Sequence, residues 1–109
     1  MNIVNCTPHN VNVIMSSGEE VVFMPCGEVA RVEMTTEEIS TVACVPVVKA
    51  TFGEAVLPNI EADAYIVSTM FATAYREQGG AAKLYVPDTG PTAIRVDGQI
   101  KAVKALIEK

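Results

Sequence analysis

Apolar residues alternate with polar ones at every second position through most of this chain, which is the mark of strands with one buried face. Ile3–Cys6 and Val11–Met15 show the pattern first and read as a strand pair around the turn Thr7-Pro8-His9-Asn10. Ser16-Ser17-Gly18-Glu19 then turns the chain into Val21–Met24, a second expected hairpin. Pro25-Cys26-Gly27 breaks that strand, and Val29–Met34 resumes the alternation. Thr35 and Glu38 have capping-box spacing, which predicts a short helical turn before Val42. Val45–Ala50, with Pro46 early in the strand or at an edge, and Thr51–Leu57, with Gly53 as the expected bulge, complete this half.

The second half changes period once. Ala64–Val67 reads as a short buried strand, and Met70–Gln78 as a helix that Ser68 or Thr69 caps and Gly79-Gly80 stops. Lys83–Val86 is the next strand, making this the one β-α-β unit in the chain. Pro87–Pro91 is a loop, and Thr92–Val96 and Gln99–Ile107 flank Asp97-Gly98, the strongest two-residue hairpin signal present. The predicted architecture is a single domain over 1–109, α+β and mostly β. It is a compact sheet sandwich or partly closed barrel of 8–10 strands with one short helix at about 69–78.

Composition excludes several function classes. The formal charge of −5 repels a phosphate backbone, because duplex binding rests on Lys and Arg releasing counterions. No window approaches the ~18 uninterrupted apolar residues of a membrane span. The start, Met1-Asn2-Ile3-Val4-Asn5, lacks the basic and apolar regions of a secretion signal, so a cytoplasmic location is expected. Cys6, Cys26 and Cys44 are an odd count without a CxxC pair and read as reduced, mostly packed thiols.

Four chemistries are open to the polar residues. Cys6 and His9 are three apart, but a structural zinc site needs four converging ligands in two close pairs, and only one pair exists. No metal site and no cofactor are expected. A nucleophile would have to be served by His9, the only histidine, and no acid lies close in sequence to orient its ring. Asp88-Thr89-Gly90 matches the triplet of dimeric aspartic proteases, yet only 19 residues follow it and Pro87 and Pro91 bracket it, so an Asx-type turn is the better reading. Anion binding is the fourth. The first N–H groups of the Ser68-Thr69 helix start favour a phosphate, and Arg31, Arg76 and Arg95 would make a positive pocket if the fold brought them together. Otherwise each is a solvated partner of a nearby carboxylate, as Arg76-Glu77 suggests.

Asn5-Cys6-Thr7-Pro8-His9, Pro25-Cys26-Gly27-Glu28-Val29-Ala30-Arg31-Val32, Val47–Leu57 with its Phe-Gly-Glu, Tyr65-Ile66-Val67-Ser68 and Gly98-Gln99-Ile100 together span nearly the whole chain. In these stretches the sequence resembles a family of small uncharacterised proteins of phages, prophages and bacterial genomes. Its members start Asn-Leu-Thr-Pro-His and carry Pro-Ser-Gly-x-Val-Ala-Arg-Val. Cys6 and Cys26 stand where that pattern has Leu and Ser, which is how packing or turn residues vary and which weakens any metal or nucleophilic role for either thiol. The resemblance implies a phage-type protein and leaves Asn5, Thr7, His9, Arg31 and Ser68 as the polar positions held in common; the anion reading adds Thr69 and Arg95.

The resulting expectation is a non-catalytic, homo-oligomeric binding protein that sequesters a small anionic ligand, such as a nucleotide signal of bacterial defence. The alternatives are a small hydrolase with His9 as base and a protein-interaction module without a ligand.

Overall fold

A computed structural model describes residues 2–109 as an α+β chain of ten strands and one helix, mostly β. The β-α-β unit is its centre. Strand β6 (Ala64–Ile66) leads into helix α1 (Thr69–Glu77) and on to β7 (Leu84–Pro87), parallel to β6. Strand β1 (Ile3–Asn5) joins the other side of β6, also parallel, with Ile3 opposite Ala64. Strand β10 (Leu106–Glu108) closes the sheet antiparallel to β7, with Leu106 opposite Pro87. The order is therefore β1-β6-β7-β10, and the carboxyl ends of three parallel strands emerge along one side.

The helix is bounded as its sequence predicts. Ser68 is the N-cap, in extended backbone, and its hydroxyl accepts the Phe71 N–H at 3.1 Å. At the other end Gly79 has φ of +84°; its N–H donates to Arg76 and the Gly80 N–H donates to Tyr75, the paired bonds of a Schellman stop. Phe71, Ala72 and Ala74 are buried against the sheet and form a core with Cys6, Ala30, Val32, Val67, Leu84 and Val86. Truncating Phe71 to Ala would cost about 3–5 kcal/mol, the usual figure for emptying an aromatic site in a core.

The remaining strands form three hairpins: β2 (Val11–Ile14) with β3 (Glu20–Phe23), β4 (Met34–Val42) with β5 (Val45–Phe52), and β8 (Ile94–Val96) with β9 (Gln99–Ala102). Asp97 and Gly98 take φ of +53° and +79°, the doubly left-handed turn that the Asp-Gly signal calls for. Among the described residues no sheet closes into a barrel. The β2–β3 hairpin is tied to the rest by single bridges, Asn5 to Pro25 and Val13 to Val103.

Several local expectations are corrected. Strands β1 and β2 do not pair with each other; Thr7–Asn10 joins two different sheets, because β1 finds a buried partner in β6. Thr35–Glu38 is strand, not a helical turn. It zips against β5 with Thr35 opposite Thr51, their hydroxyls 2.7 Å apart, and Glu37 opposite Lys49. A capping box needs a 3.6-period apolar face behind it, and the Thr, Ile and Val residues that follow favour the extended ladder. Val29–Val32 is irregular, although Ala30 donates its N–H to Cys6 and both Ala30 and Val32 are buried. The bulge falls at Ile39, not Gly53, and Val45–Phe52 is one strand. Gln99–Ile107 divides into β9 and β10, which belong to different sheets. Of the three thiols only Cys6 is packed; Cys26 and Cys44 are exposed.

Candidate functional site

In open sheets with parallel strands, ligands bind in the crevice outside the carboxyl ends of the strands. Here that crevice is a cavity of ≈310 Å³, at the lower end of the size range of ligand pockets. Thr7, His9 and Asn10 reach it from the loop after β1, Val67, Ser68 and Thr69 from the step between β6 and α1, and Pro87 and Thr89 from the end of β7. Strand β2 adds Val11 and Asn12, and β9 covers it with Ile100 and Lys101.

Asn5 holds the first wall from behind. It is 2% exposed, and its amide makes four contacts: Nδ2 donates to the His9 carbonyl at 2.8 Å and to the Phe23 carbonyl at 2.7 Å, while Oδ1 accepts the Thr7 N–H at 3.0 Å and faces the Thr7 hydroxyl at 2.6 Å. All four valences of the amide are used, so the residue is internally satisfied despite burial. The loop is therefore held through backbone groups. The His9 ring makes no hydrogen bond among the described residues, and His9 is an exposed residue of the cavity lining.

The helix start forms the opposite wall. The Phe71 and Ala72 N–H groups are taken by the Ser68 hydroxyl and carbonyl, which leaves the Thr69 and Met70 N–H groups without a partner among the described residues, at the positive end of the helix dipole. Thr89 is set by the loop that carries Asp88-Thr89-Gly90. Asp88 Oδ1 accepts the Gly90 N–H at 3.1 Å, the Asx turn expected there, and Arg95 donates to the Thr89 carbonyl at 2.7 Å and the Gly90 carbonyl at 3.2 Å. Arg95 thus positions the rim of the cavity without lining it.

The three arginines take up separate duties. Arg76 donates to the carbonyls of Lys109, Gly80 and Ala82 at 2.6–2.8 Å, locking the helix end to the last strand. Arg31 lines a neighbouring cavity of ≈640 Å³ together with Glu33 and Glu54, and that cavity shares Thr7 and Ser68 with the first. None of the three forms an ion pair among the described residues, where Lys83–Glu108 at 3.8 Å is the one such contact. The expectation that each pairs with a neighbouring carboxylate is replaced, for Arg76 and Arg95, by carbonyl acceptors.

Thr7, His9, Ser68 and Thr69 thus come together; Asn5 and Arg95 support them from behind, and Arg31 stands next door. Sequence reading missed Asn10, Asn12, Thr89 and Lys101. Asn12 carried a signal, a polar residue inside the apolar run Val11–Ile14, whereas Lys101 is indistinguishable in sequence from any exposed strand lysine.

Cys6 lies behind this loop but faces the core. Burial, reinforced by the Cys26 thiol and the Glu28 carboxylate, pushes its thiol up to about 12, so it stays protonated and unreactive at neutral pH. Cys6 is buried, whereas His9 is exposed. Among the described residues no three His, Cys, Asp or Glu side chains gather as a metal site, and no helix is long and apolar enough to cross a membrane. Neither a protein-family model, nor a curated protein, nor a solved structure matches the chain.

Proposed function

We propose that this is a non-catalytic, phage-type protein that captures a small anionic molecule in the cavity at the head of the parallel strands. A nucleotide signal of bacterial defence is the class of ligand we have in mind, sequestered in the cytoplasm of the host by a homo-oligomer. One observation carries the choice of charge. In a chain with a formal charge of −5, no Asp or Glu lines this cavity, whereas Lys101, His9 and the start of α1 do. Donor groups without a competing carboxylate favour an anion. The neighbouring cavity sets Arg31 against two carboxylates and lacks that bias.

Hydrolysis with His9 as base is less well supported. A base of that kind works on a nucleophile and is itself oriented by a third group; the nearest thiol is buried and protonated, and the lining has no carboxylate to orient the ring.

Incubating the purified protein with bacterial extract, washing it, and reading the heat-released fraction by mass spectrometry tests the proposal. The expected result is an intact anionic molecule whose recovery drops in His9→Ala and Lys101→Glu and is unchanged in Arg31→Ala. Release of a chemically altered molecule, with loss of the alteration in His9→Ala, would establish the hydrolase instead. An empty fraction, with a protein retained in a pull-down, would establish an interaction module.

A further inference from the structure

The β4–β5 hairpin projects from the body of the protein, with Phe52 at its base packed against the core. Every residue of β4 is exposed, and in β5 only Val47 and Phe52 are less than fully so. Its exposed side chains include Met34, Ile39, Val42, Val45 and Val48, each more than half accessible. Val42 and Val45 are direct partners at the tip, where Ala43 and Cys44 make a two-residue turn with φ of +50° and +66°. An isolated two-stranded hairpin is marginal in water, and this one carries an apolar surface on top of that.

Two whole-molecule quantities show how much surface is left over. The chain exposes 7231 Å², about 1,400 Å² more than the roughly 5,800 Å² of a compact monomer of this mass. Its radius of gyration is 16.4 Å, against about 13 Å for a compact domain of this length. A stable interface takes roughly 800 Å² from each partner, so the surplus is sufficient for one.

We propose that the hairpin is an assembly arm and that its occupant is a second copy of this chain. The surplus of about 1,400 Å² exceeds the roughly 800 Å² that each partner of a stable self-association buries. The hairpin is also suited to face packing more than to open-ended edge addition: β5 carries Pro46 and Lys49 on one edge, and β4 carries its bulge at Ile39 on the other. Both devices blunt strand edges, which keeps the association closed. Glu37 stands opposite Lys49, and Glu38, opposite Val48, leaves the arm with a net charge of −1. The arm's self-association rests on the homo-oligomer of the proposed function and deepens it by assigning the interface, whether or not a ligand is captured.

Light scattering coupled to size exclusion on the intact chain, under reducing conditions, tests this. The wild type is expected at a multiple of 11.6 kDa, and the double variant Val42→Glu with Val45→Glu at that single mass, with an unchanged circular dichroism spectrum because neither side chain touches the core. A wild type that stays at the monomer mass when its concentration is raised a hundredfold would overturn the proposal. So would a folded double variant whose mass remains that of the wild type. Should the double variant misfold, Val45→Lys alone is read against the same two outcomes.

Discussion

Asn5 and His9, four residues apart, divide the work of one short loop in opposite ways. Asn5 is buried and spends its whole amide on backbone and hydroxyl partners, whereas His9 contributes only its carbonyl to that network and keeps its ring free. Asn5→Ala would strand the Phe23 and His9 carbonyls and the Thr7 N–H. The expected loss is about 2–3 kcal/mol in urea unfolding, since buried groups left without partners carry their full desolvation penalty. His9→Ala is expected to leave the unfolding midpoint in place, which separates a ligand contact from a turn residue in one pair of measurements. Cys6 supplies a pH test. Its thiol is raised from 9.0 to about 12 in the folded chain, so the folded state keeps a proton that the unfolded state gives up. Its contribution to stability is whole below pH 9 and is lost as the pH rises through about 12. Urea midpoints between pH 8 and pH 11 should therefore fall more steeply for the wild type than for Cys6→Ala. In the native protein a thiol reagent should titrate two cysteines, Cys26 and Cys44, and reach the third only after denaturation.

At the scale of elements, α1 serves stability and the site with the same residue. Ser68 caps the helix and also stands on the wall between the two cavities. Ser68→Ala is expected to cost about 1 kcal/mol, the usual value of a lost cap. Ser68→Asp keeps the cap and complements the helix dipole, so thermal stability should hold, yet it brings a carboxylate to the anion site and should abolish capture. Equal capture by Ser68→Asp and the wild type would remove the anion proposal while leaving the fold description intact. This element was legible in the sequence almost to the residue, because cap, apolar face and glycine stop are all local signals. The Asp97-Gly98 hairpin and the Asx turn at Asp88 were legible for the same reason. The capping box at Thr35 misled because the same spacing occurs by chance in a strand rich in Thr and Glu, and nothing local reports the partner strand, where Thr35 meets Thr51 and Glu38 meets Val48.

For the molecule as a whole, the arm and the body are separable. Replacing the stretch between Thr36 and Ala50 with an Asn-Gly turn, across strands that already face each other there, should leave the melting temperature and ligand capture of the body nearly unchanged. The shortened chain should run as a monomer. A collapse of the melting transition would show that the arm supports the body directly.

The sequence by itself determined the α+β, mostly β class, the one helix with both its ends, and the parallel unit around it. All of these follow from periodicity and from caps and turns, which act over a few residues. Only the tertiary structure decided that β1 lies beside β6 and not β2, some sixty residues away, since a period of two says which face is buried and never names the partner. It also decided that Lys101 lines the cavity, that the arginines serve three separate places, and that a hairpin packed on the core at Phe52 leaves Met34, Ile39, Val42, Val45 and Val48 exposed. Each of these depends on how distant segments share one limited buried volume, and no local pattern encodes that.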